Sequence, residues 1–561
     1  MTTFDPVSLK ILWDRLVAVA DELVLSLVRT SFSMNVREGY DLSCMIFDAR
    51  GRLLTQGSYS VPSFTGTAPA TIGHMLRAFP AETLRPGDIV ITNDPWMGTG
   101  HLFDINVMRP IFRGERLVGF TMSVTHLPDI GGKGIASDCT EVYHEGLRLP
   151  VCKLRDDGVL NKMLLDLIRM NVRVPEQTIG DLMANVACNE VGGRAIIEFM
   201  EEYGLDEIES LADAVNDHAE TAMRERIAEI PDGTYSNAIS IEGPGKAIRL
   251  AACVTVTGSD VGIDFTGTDD PVRASINVPF CYTRAQSNYV IKCLTIPSLP
   301  NNEGAMRPIT VTAPETCILN AQPPWPTGAR HSVGHFVVPL LMGALAETLP
   351  DRVQADAAMM NVFSVQGRHR DGGEVTSLFF LAGGLGAMQG LAGRAVTPAP
   401  SNMTVVPTEI WESRTSMTIE RRQILPGTGG DGRWRGGDGQ EVVFRNDSGH
   451  LFEFALMGQR TEFPAQGFAG GGAGALRVYE VNGAVVNPKA RIELAPGDQI
   501  TMREAGGGGY GEARQREPDR VLRDVRDGVV SREAAEDIYG VVLSTDGKSI
   551  DEVATANLRA S

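Results

Sequence analysis

Residues 87–132 read GDIVITNDPWMGTGHLFDINVMRPIFRGERLVGFTMSVTHLPDIGG. The pattern His-x-x-Asp occurs twice, as His101/Asp104 and His126/Asp129. Between the two copies, residues 105–112 are largely apolar, broken by Asn106 and Arg109. Arg113-Gly114-Glu115-Arg116 signals a turn, and residues 117–124 are apolar again. Two such runs around a short glycine-bearing turn predict a β-hairpin. Folding it about Gly114 and Glu115 sets Asp104 opposite Thr125, so both His-x-x-Asp pairs emerge at the same end of the ribbon. Two imidazoles and up to three carboxylates, counting Asp94, then converge on one point. Nitrogen and carboxylate donors in that mix suit a divalent transition metal, and three ligands leave a position for water or substrate. A lone His near a strand end is usually structural, and Asn93-Asp94-Pro95 by itself is an ordinary turn. It is the convergence that argues for a metal.

The whole chain has 561 residues, enough for about three or four domains. Hydrophobic residues make up 43% of it and the mean hydropathy is near zero, as in a globular protein. A net charge of −19 argues against a nucleic-acid partner or an anionic membrane surface. The eight cysteines include no Cys-x-x-Cys pair, which fits reduced thiols in the cytoplasm. Asp14, Arg15, Asp21 and Glu22 interrupt the N-terminal apolar positions, unlike a signal peptide.

Asp5-Pro6 predicts a helix start, followed by Leu9, Leu12, Trp13, Leu16, Ala20, Leu23 and Leu27 at helical spacing. Residues 44–47 and Leu53-Leu54 read as strands around the turn 48–52. Glu38, Asp41 and Ser43 beside them either line a pocket or brace the turn. Residues 62–71, rich in Ser, Thr, Gly and Ala, read as a loop, and 70–79 as helical. The turn Gly131-Gly132-Lys133-Gly134 offers successive backbone N–H groups to an oxyanion. It lacks the spacing of a phosphate loop. His144 and Glu145 follow as reserve ligand or acid/base candidates. Three of the nine histidines fall between His101 and His144, which makes this segment the chemical centre.

Residues 161–170 and 181–203 read as helices, with Asp181 as a cap. From about Ser236 the texture turns β-rich, with strands at 251–256 and 261–265. Residues 274–293 suggest strand then helix, and 336–347 a helix. His331 and His335, spaced i, i+4, read as packing or substrate-facing. The loop 426–439, with Arg433-Trp434-Arg435-Gly436-Gly437, presents donors to an anion or turns corners of a β domain. Gly470 to Gly474 and Gly506 to Gly511 read as tight loops inside a fold. The tail reads as a charged helix at 519–525, then Ser531 capping a helix that Gly540 ends.

These features together give an α+β fold of several β-rich units with a short helical C-terminal tail. The expected units are 1–235 with the metal site, 236–400 mixed, 401–515 β-rich and glycine-rich, and 516–561 helical.

The whole chain resembles the B-type subunit of the hydantoinase/oxoprolinase family. The matching residues are Asp41-Leu42-Ser43, Gly87-Asp88, Asn93-Asp94-Pro95, Gly100-His101-Leu102, Asp104-Ile105, and His126 with Asp129-Ile130-Gly131-Gly132. Further matches are Glu145-Gly146, Asn171 with Arg173, Gly180-Asp181-Leu182, Asp264-Phe265 with Gly267-Thr268, Arg435-Gly436-Gly437, the Gly506 to Gly511 tract, Val530-Ser531 and Tyr539-Gly540-Val541. The family includes ATP-dependent N-methylhydantoinases, 5-oxoprolinase, caprolactamase-type lactamases and the acetone and acetophenone carboxylases. Where many relatives carry Pro-x-His, this chain has Pro62-Ser63-Phe64, so substrate choice is expected to differ.

The resemblance implies a metal-bearing subunit that works with an A-type, ATP-binding subunit as a heterotetramer (AB)2, with ATP and Mg on the partner. It maps metal ligands onto His101, Asp104 and His126, with Asp94 and Asp129 as ligands or as residues orienting the imidazoles. Zn, Mn and Fe all suit such donors. The implied reaction opens a hydantoin, lactam or 5-oxoproline-like ring, with Asp129 or Glu145 moving protons and residues 131–134 stabilising an oxyanion. Two alternatives stand beside it: a subunit of an ATP-dependent ketone carboxylase, and a non-catalytic scaffold for the ATPase partner.

Overall fold

The computed structural model describes residues 4–560. Its first helix, Pro6–Thr30, starts where the sequence places it: Asp5 Oδ1 accepts from the N–H groups of Val7 (3.0 Å) and Ser8 (3.1 Å). Leu12, Leu16, Ala20, Leu23 and Leu27 are buried along one stripe. They face β1 (Leu42–Asp48), β2 (Leu53–Gln56) and the long helix Pro175–Glu202.

The central sheet adds β3 (Ile89–Thr92), β4 (Asp104–Arg113), β5 (Arg116–His126), β6 (Cys152–Asp156) and β7 (Val159–Leu160), in the order β2-β1-β5-β4-β3-β6-β7. β5 is buried along nearly its whole length, and the helix Pro175–Glu202 lies across β4 and β5. That two-sided cover is why residues 117–124 read as a continuous apolar run and not as an alternation.

The hairpin forms, with Gly114 at φ +63 in its turn. Its register differs from the expected one by a residue. Phe112 pairs with Leu117 but Ile111 pairs with Gly119, so Val118 is an extra residue on β5. This bulge brings His126, not Thr125, opposite Asp104.

Residues 62–71 are not a loop. Pro62–Ala78 is one helix, with Pro69 inside it. Its small residues serve close packing: a Cβ on Gly66 would come within 2.6 Å of Ala285 Cβ on the helix Phe280–Thr295. Thr67 and Thr71 turn their hydroxyls back to the helix carbonyls of Phe64 (3.0 Å) and Thr67 (3.3 Å). The expected strand at the start of 274–293 is absent among the described residues; the segment runs irregularly into that helix. The helix expected at 181–203 begins earlier, at Pro175. Asp181 therefore sits within it, and caps another segment: its Oδ1 accepts from the N–H of Phe32 (2.6 Å) and Ser33 (3.2 Å).

The expected β-rich middle is a four-stranded sheet of Gly233–Glu242, Ala247–Thr257, Asp260–Asp264 and Ile309–Thr312, the last pair parallel. Its buried side chains belong to the same hydrophobic core as the central sheet. Two further sheets, of four and five strands, enclose a second core in which Phe363, Phe379, Trp411, Phe444 and Phe454 pack ring on ring.

The glycine tracts are inside the fold, as the sequence suggested, and they pack backbone on backbone. A Cβ on Gly384 would lie 1.7 Å from Gly437 O, and one on Gly506 would lie 1.7 Å from Thr428 O. Hydrogen bonds link the segments directly, Gly430 N–H to Gly507 O (2.8 Å) and Gly509 N–H to Gly472 O (2.9 Å). Only glycine permits chains to approach this closely. Within the loop 426–439, Arg435 pairs with Asp438 (3.5 Å), so it closes a corner. The tail holds the helices Pro518–Arg526, Arg532–Asp537 and Glu552–Ala560 around a small core of their own; Ser531 caps the second through Ala534 N–H (3.0 Å). All eight cysteines are free thiols. No helix among the described residues is long and apolar enough to cross a membrane.

Candidate metal centre

The open end of the β4–β5 hairpin carries Asp104 and His126 face to face. His101 reaches them from the loop that precedes β4. Asn93 ties that loop down: its Nδ2 donates to Leu102 O (2.7 Å) and Leu147 O (2.9 Å), and its Oδ1 accepts from Leu149 N–H (2.6 Å). One ligand atom from each of His101, Asp104 and His126 lies within 4.8 Å of the others, and all three residues are buried.

Hydrogen bonds fix what these atoms can do. His101 Nδ1 lies 3.0 Å from Gly328 O, and His126 Nδ1 lies 2.8 Å from Leu127 O. A carbonyl only accepts, so each Nδ1 carries its ring's hydrogen and each Nε2 presents a lone pair. Both Nε2 atoms and Asp104 Oδ1 are buried without a hydrogen-bond partner. Burial, reinforced by His101, pushes His126 down to about 3; burial and the Arg330 charge lower His101. Both rings are therefore neutral, the form that binds metal. His101 Nε2 lies 2.8 Å from Asp104 Oδ2 with no proton to share. Two lone pairs so placed repel unless a cation lies between them, so this donor set fits a divalent metal.

Asp104 stays ionised. Burial opposes this, but the adjoining His101 ring and the Arg330 guanidinium hold its carboxyl below the ordinary range. Arg330 Nη2 donates to Asp104 Oδ2 (2.7 Å), Arg330 Nε to Thr99 O (2.7 Å), and Thr99 Oγ1 to Asp104 Oδ2 (2.5 Å). The guanidinium stacks over Tyr282, 4.4 Å from the ring centroid. Sequence reasoning passed over Arg330, although it adjoins the His331 and His335 that were singled out.

Those two histidines line the same cavity as His101, Asp104 and His126, their rings 5.9 Å apart. Burial, followed by His335, pushes His331 well below its ordinary value; burial and Arg330 bring His335 to about 3. They are neutral rings that can donate or accept a hydrogen bond in the cavity wall. Asp41 lines the cavity too, so it does more than brace a turn. Burial, then the nearby Asp104 charge, pushes its carboxyl well up.

The other expected site residues lie outside the donor set. Asp94 Oδ2 accepts from Arg148 Nε (2.7 Å), and Asp94 Oδ1 accepts from Trp96 N–H (3.0 Å). Asp129 Oδ1 accepts from Gly131 N–H (2.9 Å) and Arg173 Nη1 (3.0 Å), and its Oδ2 accepts from Arg173 N–H. Asp129 thus braces the Gly131 turn. Three of the four N–H groups of the expected oxyanion cradle there are engaged: Gly131 N–H goes to Asp129, Lys133 N–H to His144 O (2.9 Å) and Gly134 N–H to Gly131 O (3.4 Å). His144 is exposed and meets Thr140 (3.3 Å), away from the cavity. Glu145 is buried one residue behind the cluster. Its Oε1 accepts from Gly328 N–H (2.7 Å), its Oε2 has no partner, and burial pushes its carboxyl up to about 7.

The sequence profile of the hydantoinase B/oxoprolinase family matches residues 5–513. The B-type component of the putative D-/L-hydantoinase of Pseudomonas sp. (strain NS671) is 31% identical over 99% of this chain and 98% of its own. The crystal structure of ATP-dependent caprolactamase from Pseudomonas jessenii superposes with a TM-score of 0.90 at 26% identity, covering 100% of each chain. Nucleotide-free acetone carboxylase shares the fold, with a TM-score of 0.89 at 21% identity over 99% of this chain and 82% of its own.

Proposed function

The chain belongs to the hydantoinase B/oxoprolinase family, and on that premise we propose that it is the metal-bearing subunit of an ATP-dependent cyclic amidohydrolase. The ring it opens is a hydantoin, a lactam or a 5-oxoproline-like amide. The partner is an ATP-binding A-type subunit, in an (AB)2 assembly, with ATP and Mg on the partner's side. The observation that carries the reading is the convergence of three buried residues, His101, Asp104 and His126, with one ligand atom from each within 4.8 Å of the others.

These three residues would hold a divalent ion, and their mixed nitrogen and oxygen character suits Zn, Mn or Fe. Such an ion, when bound, supplies a Lewis acid that polarises an otherwise unreactive amide carbonyl. The chain's own residues do the rest. Arg330 keeps Asp104 anionic and in place. The neutral rings of His331 and His335 stand in the cavity to meet the amide N–H and carbonyl. Glu145 does not line the cavity; it acts through Gly328, whose carbonyl sets the His101 tautomer, and it is the group poised to hold a proton near neutral pH. Asp129 is left a bracing role by its bonds to Arg173 and Gly131.

The test is ATP consumption by the chain with its A-type partner over hydantoins, lactams and small ketones, with and without bicarbonate. Turnover on a cyclic amide without bicarbonate is the expected result. Turnover on ketones alone, dependent on bicarbonate, overturns it in favour of a carboxylase. ATP turnover unchanged by His101→Ala overturns the metal role and leaves a scaffold.

A further inference from the structure

The helix Phe280–Thr295 presents a second polar stripe, turned away from the metal cavity. Arg284, Asn288 and Lys292 stand at i, i+4 and i+8, which places them on one face along about 12 Å of helix. Arg284 and Asn288 line a cleft of ≈ 470 Å³, and Asn288 and Lys292 line an inner chamber of ≈ 140 Å³. The two cavities share Gly66, Asn288, Met306 and Ile309, and the helix Pro62–Ala78 forms part of the wall of both. Neither shares a lining residue with the metal cavity.

No carboxylate among the described residues pairs with the cations of this stripe. Among the described residues, Arg284 makes no ion pair or hydrogen bond, although its charge reaches His74. Lys292 Nζ donates to Leu299 O and to Ile296 O (3.4 Å) and meets no carboxylate; burial lowers its amine to about 8. Asn288 Oδ1 is buried and accepts from nothing. The arginines at the rim differ. Arg52 is paired with Asp48 (2.6 Å) and Asp213 (2.6 Å), Arg50 lies 3.7 Å from Asp213, and Arg307 is paired with Glu220 (2.9 Å) and Asp217 (3.2 Å). The one carboxylate in the lining, Glu303, accepts from Leu53 N–H (3.4 Å) and forms no ion pair with Arg284 or Lys292; burial pushes its carboxyl up. Two cations without counter-ions in adjoining cavities, on a chain of net charge −19, mark a place where a ligand supplies the anion.

We propose that this double cavity binds a small aliphatic dicarboxylate or acidic amino acid, one carboxylate on Arg284, the other on Lys292, with an N–H or O–H donated to Asn288 Oδ1. Residues set two helical turns apart favour a ligand with two separated carboxylates over a single phosphate. Pro62, Ala285, Pro297, Ala305 and Met306 give the inner chamber a carbon lining for the aliphatic chain. The assignment stands independently of the metal reading.

Calorimetric titration of the full chain with glutarate, L-glutamate and inorganic phosphate tests it. The expected result is saturable one-site binding of glutarate or L-glutamate, weakened about tenfold or more by Arg284→Gln and by Lys292→Met. His126→Ala leaves that binding unchanged. Arg284→Gln removes no intramolecular bond, so its effect is not one of misfolding. Absence of saturable binding by both dicarboxylates overturns the proposal. So does binding indifferent to both variants, saturation by phosphate alone, or loss of binding in His126→Ala, which would place the ligand at the metal.

Discussion

Replacing Glu145 by Gln isolates the cost of burying one carboxyl behind the metal ligands. Glu145 Oε1 accepts from Gly328 N–H (2.7 Å), and a glutamine oxygen can do the same, so the Gly328 carbonyl stays on His101 Nδ1. What changes is titration. Burial raises the folded-state value from an ordinary 4.5 to about 7, because the anion loses water and gains only partial compensation from the N–H of Gly328 and from Ser275. A raised carboxyl value means that the folded protein holds a proton the unfolded chain has released. The stability this proton confers is complete below about pH 4.5 and is lost as pH rises through 7. The shift corresponds to about 3 kcal/mol. The Gln variant has no such loss, so its stability relative to the wild type should grow by about 3 kcal/mol between pH 5 and pH 8.5. Thermal unfolding midpoints of both proteins at the two pH values measure it. Infrared difference spectra should show a protonated carboxyl band in the wild type at pH 6 that the variant lacks. Equal midpoint differences at both pH values, or no such band, would refute the reasoning.

Three other outcomes follow from the geometry. His126→Ala removes one of three donors and should take bound divalent metal from about one per chain to near zero by elemental analysis, since two protein ligands do not retain a labile ion; full occupancy would mean the donors lie elsewhere. Asp129→Asn should keep its metal, because Asp129 is bonded to Arg173 and not to the cluster, while losing roughly 1–3 kcal/mol of stability; metal loss in that variant would return Asp129 to the ligand set. Gly507→Ala places a Cβ 2.3 Å from Leu385 O, backbone that cannot step aside. It should cost more than about 4 kcal/mol and leave little soluble protein, and a normally expressed, folded variant would contradict the backbone-on-backbone packing.

Much of the site was legible because it is local. His101, Asp104 and His126 lie on one hairpin and its preceding loop, so the turn at Gly114 suffices to bring them together. Even there the register was off by one, since a bulge at Val118 has no mark in the residue pattern. The helix at Pro62–Ala78 was hidden because Ser, Thr, Gly and Ala serve loops and close helix contacts alike, and only the neighbour at Ala285 tells which.

By itself the sequence determined the α+β class, the hairpin, the three converging donor side chains, the caps at Asp5 and Ser531, and the family. Only the tertiary structure decided the fate of each charge. Arg330, more than two hundred residues beyond Asp104, holds that carboxylate; Gly328 sets the tautomer of His101; Arg148 and Arg173 claim Asp94 and Asp129, which the spacing alone had drawn into the site. The physical reason is that strand pairing and capping act over a few residues, whose order is written in the chain. The partner of a buried charge is whichever group long-range packing brings within about 3 Å, and no local pattern encodes that choice.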